Sequence, residues 1–152
     1  MAALQADHTE FHDLLDQLEA SLGGLCRERR PDYAGALRIL QRLTLGCEAF
    51  REHCRRENSL FRQLDRRTGR VLVVHDALER QRQRVSGQRV VLAQRLCAAV
   101  NGGEDPCCES LAETFRTYST GFRAQLAFEE YIMYPLVGVF LQGAVADRVP
   151  RF

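Results

Sequence analysis

Apolar residues recur at the three- and four-residue spacing of an amphipathic helix along four segments, and this periodicity limits the fold more than any other feature of the chain. The four segments cover residues 7–22, 33–67, 71–100 and 107–134. Glycine, asparagine or proline separates each segment from the next, and none shows the alternation typical of a strand. The pattern therefore predicts an all-α fold, an up-down-up-down four-helix bundle with one apolar face per helix turned inward. A short C-terminal helical tail is predicted over residues 136–141.

Capping and helix-breaking residues give the predicted ends of two of these helices. Asp7 is the predicted N-cap of the first helix, and Glu10 follows three residues later, as in a capping box. Gly23 and Gly24 are predicted to end the same helix. Pro135 has no backbone N–H, so it must kink or end the fourth helix.

The length and charge of the chain narrow its class. With 152 residues it is predicted to be a single domain, residues 1–152, large enough for a sizeable core. The net charge of +1 gives no reason to expect nucleic acid or an anionic membrane as a partner. No apolar run reaches the roughly 18 to 20 residues of a membrane span, and the first residues do not resemble a signal peptide, so we expect a cytoplasmic protein.

All 21 basic residues are arginines, which excludes chemistry that depends on a lysine Schiff base. Five of them flank the apolar stripe of the third segment: Arg80, Arg82, Arg84, Arg89 and Arg95. Glutamines are interleaved with these arginines and the net charge is near zero. We therefore interpret them as a solvated face of the bundle rather than a nucleic-acid surface.

The six cysteines include no C-x-x-C pair. In a chain of this length without a secretion signal, they are expected to be reduced thiols. Cys107 and Cys108 are adjacent in a predicted loop. A redox-active pair is one interpretation of these two residues, and two ordinary thiols is the favoured one.

His53 and Glu57 are four residues apart in the second segment, so they stand one above the other on one face of the helix. Phe50, Leu60 and Leu64 run along the same face. A carboxylate among core residues is costly unless a positively charged group holds it. A metal ion is therefore a candidate partner for this pair.

The other three segments also carry residues with metal-binding side chains on their apolar stripes. The predicted ligands are His8 in the first segment, His53 and Glu57 in the second, His75 and Glu79 in the third, and Gln125 and Glu129 in the fourth. Facing helices of a bundle commonly build a carboxylate-bridged two-metal site in this way. Imidazole and carboxylate ligands together suit iron, manganese or zinc.

Each acidic residue of this set also has a purely structural interpretation. Glu57 and Glu129 would form buried ion pairs with arginines, and Glu79 would be an exposed partner of Arg80 or Arg82. The conjunction favours a metal, because three of the four histidines and two glutamates fall on the inward stripes of all four predicted helices.

The chain resembles the hemerythrin-like family, also called HHE cation-binding domains, over almost its whole length. Four stretches carry the resemblance: residues 7–11, 50–61, 74–78 and 122–135. The resemblance implies a bundle with a non-haem diiron site, in which carboxylates and an oxo or hydroxo group bridge the two irons. The ligands that it implies are His8, His53, Glu57, His75 and Glu129.

The sequence departs from the family at two positions. Gln125 stands where the fourth helix normally offers a histidine, and Glu79 stands where hemerythrins carry a second histidine on the third helix. A site richer in oxygen ligands favours ferric iron, which argues against a reversible oxygen carrier. An amide ligand at Gln125 would leave an open coordination position or weaken one metal position.

The expected function is a protein with two irons per chain that binds, senses or reacts with a small oxidant such as dioxygen, peroxide or nitric oxide. The alternative is a bundle with one metal or none that serves as a regulatory or protein-interaction module, since the fourth-helix histidine is missing. An oxygenase acting on an organic substrate is the third interpretation, and the sequence offers no recognisable substrate pocket for it.

Overall fold

A computed structural model describes residues 2–27, 33–68, 73–101 and 108–146, and over these ranges the protein is helical without a strand. The elements are α1 (Ala2–Arg27), α2 (Tyr33–Thr68), α3 (Val73–Val100), α4 (Cys108–Phe128), a π-helical turn (Glu129–Met133) and α5 (Tyr134–Ala146). The predicted all-α class is therefore confirmed. None of the helices in the described ranges is both long and apolar enough to cross a membrane.

The first helix is longer at both ends than its local signals predict. Asp7 lies inside α1 rather than at its N-cap, and the helix continues through Gly23 and Gly24. A glycine in a helix interior costs only about 1 kcal/mol relative to alanine. Burial of Leu22 and Leu25 on the same helix opposes that cost, so the predicted stop at the two glycines is wrong.

The apolar stripes of the helices meet in two clusters at different levels of the molecule. The main contacts join α1 to α2 and α4, and α3 to α2 and α4, while α5 packs against α2. The larger cluster includes Phe11, Leu15, Leu18, Ile39, Leu43, Val85, Leu92, Phe122 and Leu126. The smaller cluster contains Leu4, Phe61, Leu64, Leu78, Met133, Tyr134 and Val137.

A layer of buried polar side chains separates the two clusters. On α1, α2 and α3 the polar positions fall between a residue of one cluster and a residue of the other, as His8 falls between Leu4 and Phe11. After α4, Glu129 falls in the same way between Leu126 and Met133. This polar layer consists of His8, His53, Glu57, Arg82, Gln125 and Glu129. The apolar clusters exclude water from both sides, so the polar groups must satisfy one another or bind a ligand.

The cysteine predictions are only partly within the described residues. Cys47, Cys54 and Cys97 are half-buried thiols, as expected for reduced cysteines. Cys108 is exposed at the start of α4, whereas Cys107 lies outside the described residues. The structure tests neither interpretation of the adjacent pair, the favoured one of two ordinary thiols or the alternative of a redox-active pair.

Leu15 provides a direct test of the larger cluster, because its side chain is fully buried. We expect Leu15→Ala to lower the free energy of unfolding by about 2–5 kcal/mol, through lost burial and the cavity left behind. The matched control is Leu45→Ala on α2, where the side chain is 65% exposed and the expected change is within about 0.5 kcal/mol. Urea denaturation followed by circular dichroism measures both, and equal effects would contradict the assigned core.

Candidate metal centre

Three side chains direct one atom each to a common point in the polar layer. His8 Nε2 lies 3.3 Å from His53 Nε2 and 3.0 Å from Glu129 Oε2. His53 Nε2 lies 3.3 Å from Glu129 Oε2. All three side chains are buried. Within the described parts of the chain, this donor triangle is the cluster of histidine and acidic groups spaced closely enough to hold a metal ion.

A carboxylate holds the outer nitrogen of each imidazole. His8 Nδ1 lies 2.9 Å from Glu130 Oε1, and His53 Nδ1 lies 2.9 Å from Asp7 Oδ2. Because an ionised carboxylate only accepts hydrogen bonds, each Nδ1 carries the proton and donates. A ring protonated only at Nδ1 keeps its Nε2 lone pair, which faces the common point. Carboxylates placed in this way orient metal-binding histidines in proteins.

The spacing of the donor triangle fits a metal ion. An ion about 2.1 Å from each donor places neighbouring donors about 3.0 Å apart in octahedral coordination and about 3.4 Å apart in tetrahedral coordination. The three observed separations run from 3.0 to 3.3 Å. Two imidazoles and one carboxylate with open positions form the ligand set typical of non-haem ferrous sites.

The electrostatics of the donor triangle favour a positive charge at the common point. Burial opposes ionisation of Glu129, but hydrogen bonds from His53 and His8 lower its pKa to about 2. Burial also lowers the pKa of His8, yet hydrogen bonds to Glu129 and Glu130 outweigh this effect and the pKa is raised overall. The raised pKa of His8 favours a proton on that imidazole, and a metal ion would compete with this proton for the common point.

The π-helical turn brings two adjacent glutamates to one histidine. Glu129 contacts Nε2 of His8, and Glu130 contacts Nδ1 of the same ring. Neighbouring side chains of an α-helix point about 100° apart, so two adjacent residues of a regular helix do not readily contact the same ring. A hydrogen bond from Tyr134 N–H to the Glu129 carbonyl, five residues back, closes the turn. The turn ends at Met133, two residues before Pro135, so the predicted interruption of the fourth helix takes the form of a π turn.

Arg82 fills the α3 side of the polar layer. Its guanidinium forms ion pairs with Glu57 and Glu79, and Nη1 donates to Asn58 Oδ1 at 3.0 Å. The Arg82 side chain is only 7% exposed, so the prediction of a solvated face is wrong for this residue. The physical reason is Glu57, whose buried carboxylate needs a positive partner.

Glu57 lies between the donor triangle and Arg82. Its Oε2 is 3.7 Å from His53 Nε2 and accepts a hydrogen bond from Arg82. Burial and repulsion from Glu129 raise the pKa of Glu57, while His53 and Arg82 oppose that rise. The other oxygen, Oε1, is buried without a hydrogen-bond partner among the described residues.

Gln125 and Tyr134 complete the surroundings of the donor triangle. Gln125 Nε2 donates to Glu129 Oε1 at 2.9 Å, while its own carbonyl oxygen is buried and lacks a partner in the described ranges. The Tyr134 hydroxyl lies 3.0 Å from His8 Nε2. In this arrangement Gln125 positions Glu129 through a hydrogen bond and is not a vertex of the triangle.

Two predicted ligands on α3 lie away from the donor triangle. His75 is half-buried and its ring meets Phe61 edge-on, with centroids 5.6 Å apart. It precedes Arg82 by seven residues, which is about 10 Å along a helix. Glu79 pairs with Arg82, in agreement with its structural interpretation. The structure thus unites His8, His53 and Glu129, places Glu57 and Gln125 beside them, and leaves His75 and Glu79 outside.

Four residues outside the predicted ligand set contribute to the site: Asp7, Arg82, Glu130 and Tyr134. Asp7 and Glu130 each adjoin a predicted ligand in the sequence, and this adjacency could have indicated them. The spacing Leu78–Arg82–Val85 continues the apolar stripe of α3, and it could have indicated that Arg82 faces the core. Tyr134 lies in the stretch 122–135 that resembles the family, but helical spacing from Glu129 gives no signal for it.

Comparisons of the chain with protein-family models, with curated proteins and with solved structures gave no match. The interpretation of the site therefore depends on two things alone. These are the geometry of the polar layer and the motif residues that resemble hemerythrin-like proteins.

Removal of Arg82 tests its role as the counter-charge of Glu57. We expect Arg82→Met to lower the free energy of unfolding by roughly 3–5 kcal/mol, because it leaves a buried carboxylate unpaired. A carboxyl whose pKa is raised by folding stabilises the folded state at low pH and loses that contribution as pH rises through the folded pKa. The loss should therefore be larger at about pH 8 than at about pH 5.

Two further variants serve as controls for this measurement by urea denaturation. Arg84→Met, on the exposed side of α3, should change stability little. The double variant Arg82→Met with Glu57→Met should recover most of the loss, since no buried charge remains. If Arg82→Met were no more destabilising than Arg84→Met at either pH, the buried ion pair would be refuted.

Proposed function

We propose that the protein is a hemerythrin-like helical bundle that holds one non-haem iron on His8, His53 and Glu129 and that binds or reacts with a small oxidant. Dioxygen, peroxide and nitric oxide are the candidate oxidants. The observation that carries the proposal is the convergence of three buried donor atoms 3.0 to 3.3 Å apart. The four motif stretches in the sequence support the family.

The packing supports an up-down-up-down arrangement of α1 to α4, with α5 as a short tail, as part of the same proposal. The main contacts pair each long helix with the two helices that would be its neighbours in a four-helix bundle. In such a bundle, a ligand site inside the core takes one or two side chains from each facing helix. The polar layer has this composition.

Arg82 is the reason to propose one iron rather than two. A second ion would need Glu57 as a ligand, and that carboxylate is already paired with a buried guanidinium. Arg82 also binds Glu79, the other predicted ligand on its helix. The Arg82 guanidinium thus supplies the positive charge that a second ion would otherwise bring to Glu57, so no second iron is required there.

The side chains around the donor triangle have separate tasks in this proposal. A bound ferrous ion would supply open coordination positions and an electron for a small oxidant. Asp7 and Glu130 hold the two imidazoles in the orientation that binds it. The Tyr134 hydroxyl keeps a proton beside His8 Nε2. The two apolar clusters exclude bulk water, which strengthens each of these electrostatic contacts.

A two-iron site is the second candidate, and one observation favours it. Glu57 Oε1 and Gln125 Oε1 are both buried without hydrogen-bond partners among the described residues. Buried acceptors in this state are costly, and a second cation would satisfy them. This candidate requires Arg82 to leave Glu57 and His75 to enter the site.

Metal content separates these candidates. Protein reconstituted anaerobically with excess ferrous iron should retain one iron per chain. His53→Ala and Glu129→Ala should retain almost none, because each removes a vertex of the donor triangle. His75→Ala is the matched control and should retain the iron, since its ring lies against Phe61. At an iron concentration a hundredfold above the dissociation constant, the metal should stabilise the folded protein by about 2.7 kcal/mol.

Each alternative predicts a different result in the same experiment. Two irons per chain, with a loss in His75→Ala, would establish the two-iron candidate. No retained iron and no thermal stabilisation would favour the regulatory or interaction module. Exposure of the loaded protein to dioxygen, peroxide and nitric oxide in turn, followed by optical spectroscopy, then identifies the oxidant.

A further inference from the structure

A cavity of about 260 Å³ opens between α2, α3 and α4, beside Arg82 of the polar layer. Phe50, Val85 and Phe122 line it with apolar surface, and Tyr118 adds a third aromatic ring. The rings of Phe50 and Phe122 meet edge-on with centroids 4.8 Å apart. A preformed apolar cavity with a few polar groups is the usual form of a small-molecule site.

The charge of the cavity lining has one sign. Arg51, Arg82 and Arg89 line it, and no acidic residue is among the described lining residues. Arg82 is neutralised by its two glutamates. Arg89 forms no ion pair or hydrogen bond with another described residue, although its side chain is half-buried. A guanidinium that has no partner among the described residues and lies beside an apolar cavity favours an anionic ligand group.

The Tyr118 hydroxyl and the Cys54 thiol add no negative charge to the positively charged lining of the cavity. Burial raises the pKa of the Tyr118 hydroxyl, and the positive charge of Arg89 opposes that rise, so the two groups share one environment. Burial raises the pKa of the Cys54 thiol to about 12, so no thiolate at Cys54 offsets the arginines. The cavity therefore combines a neutral hydroxyl donor, a cationic donor and aromatic walls.

We propose that this cavity binds a small aromatic carboxylate, with the carboxylate on Arg89 and the Tyr118 hydroxyl and the ring against the side chains of Phe50 and Phe122. A guanidinium binds a carboxylate through parallel hydrogen bonds. Edge-on and offset contacts stabilise an aromatic ring against the two phenylalanines. The volume lies just below the range of pockets for drug-sized ligands, which suits a single ring with a short acidic chain. The site does not depend on a metal in the donor triangle.

Titration calorimetry of the 152-residue chain with 4-phenylbutyrate tests the proposal, and 4-phenylbutyramide is the uncharged comparison. We expect the acid to bind once per chain and the amide to bind much more weakly. Arg89→Gln should weaken binding of the acid by about tenfold to a hundredfold, as for a lost hydrogen bond to a charged group. Tyr118→Phe should weaken it by about two- to tenfold. Arg84→Gln, exposed on the same helix, should leave it unchanged.

The location is checked by nuclear Overhauser contacts between the phenyl protons of the ligand and the rings of Phe50 and Phe122. Their presence supports the cavity, and their absence from a bound complex would overturn it. Equal binding of acid and amide would refute the anionic specificity. Failure of the unmodified chain to bind 4-phenylbutyrate would refute the proposal itself. Should Arg89→Gln fail to fold, Tyr118→Phe, which keeps the ring, gives the deciding comparison.

Discussion

Two buried carboxylates, those of Glu57 and Glu129, impose the constraint on which the rest of this bundle depends. Both lie in a layer closed above and below by apolar side chains, where an unpaired charge is far too costly to keep. The helices therefore have to deliver positive charge to this level of the core. They do so in two ways: α3 supplies a guanidinium to Glu57, and α1 and α2 supply imidazoles to Glu129.

These two solutions differ in what they allow chemically. The Arg82 ion pair is permanent, because a guanidinium neither loses its proton nor dissociates from the chain. The charge beside Glu129 is exchangeable, since either a proton or a metal ion can occupy the space between the imidazoles and the carboxylate. A bundle that holds one exchangeable cation next to a fixed guanidinium has room for one metal ion, whereas a symmetric two-metal centre binds two. This contrast is the main structural argument for the proposed single iron.

Sequence reasoning succeeded where local periodicity determines the outcome. Phe11, Leu15 and Leu18 repeat at helical spacing, so their burial follows from the fold class. The inward positions of His8, His53 and Glu129 follow from the same stripes. Arg82 lies on such a stripe as well. Because arginine is rarely buried, its side chain was nevertheless predicted to face solvent. The position of the site along the bundle axis could not be predicted from periodicity, because it depends on how far α3 is shifted along its axis relative to α2. For this reason His75 could be assigned to the right face and still lie away from the donor triangle.

The π turn at Glu129–Met133 has a consequence for how this protein tolerates change. One extra residue in a helical turn shifts the angular phase of everything that follows it. Met133, Tyr134 and Val137 reach the smaller apolar cluster with that shifted phase, while Glu129 and Glu130 clamp one imidazole from either side. The geometry of the ligands and the packing at the end of the bundle thus both depend on the number of residues in the π turn. An insertion or deletion within these five positions would therefore disrupt both the donor triangle and the end of the core.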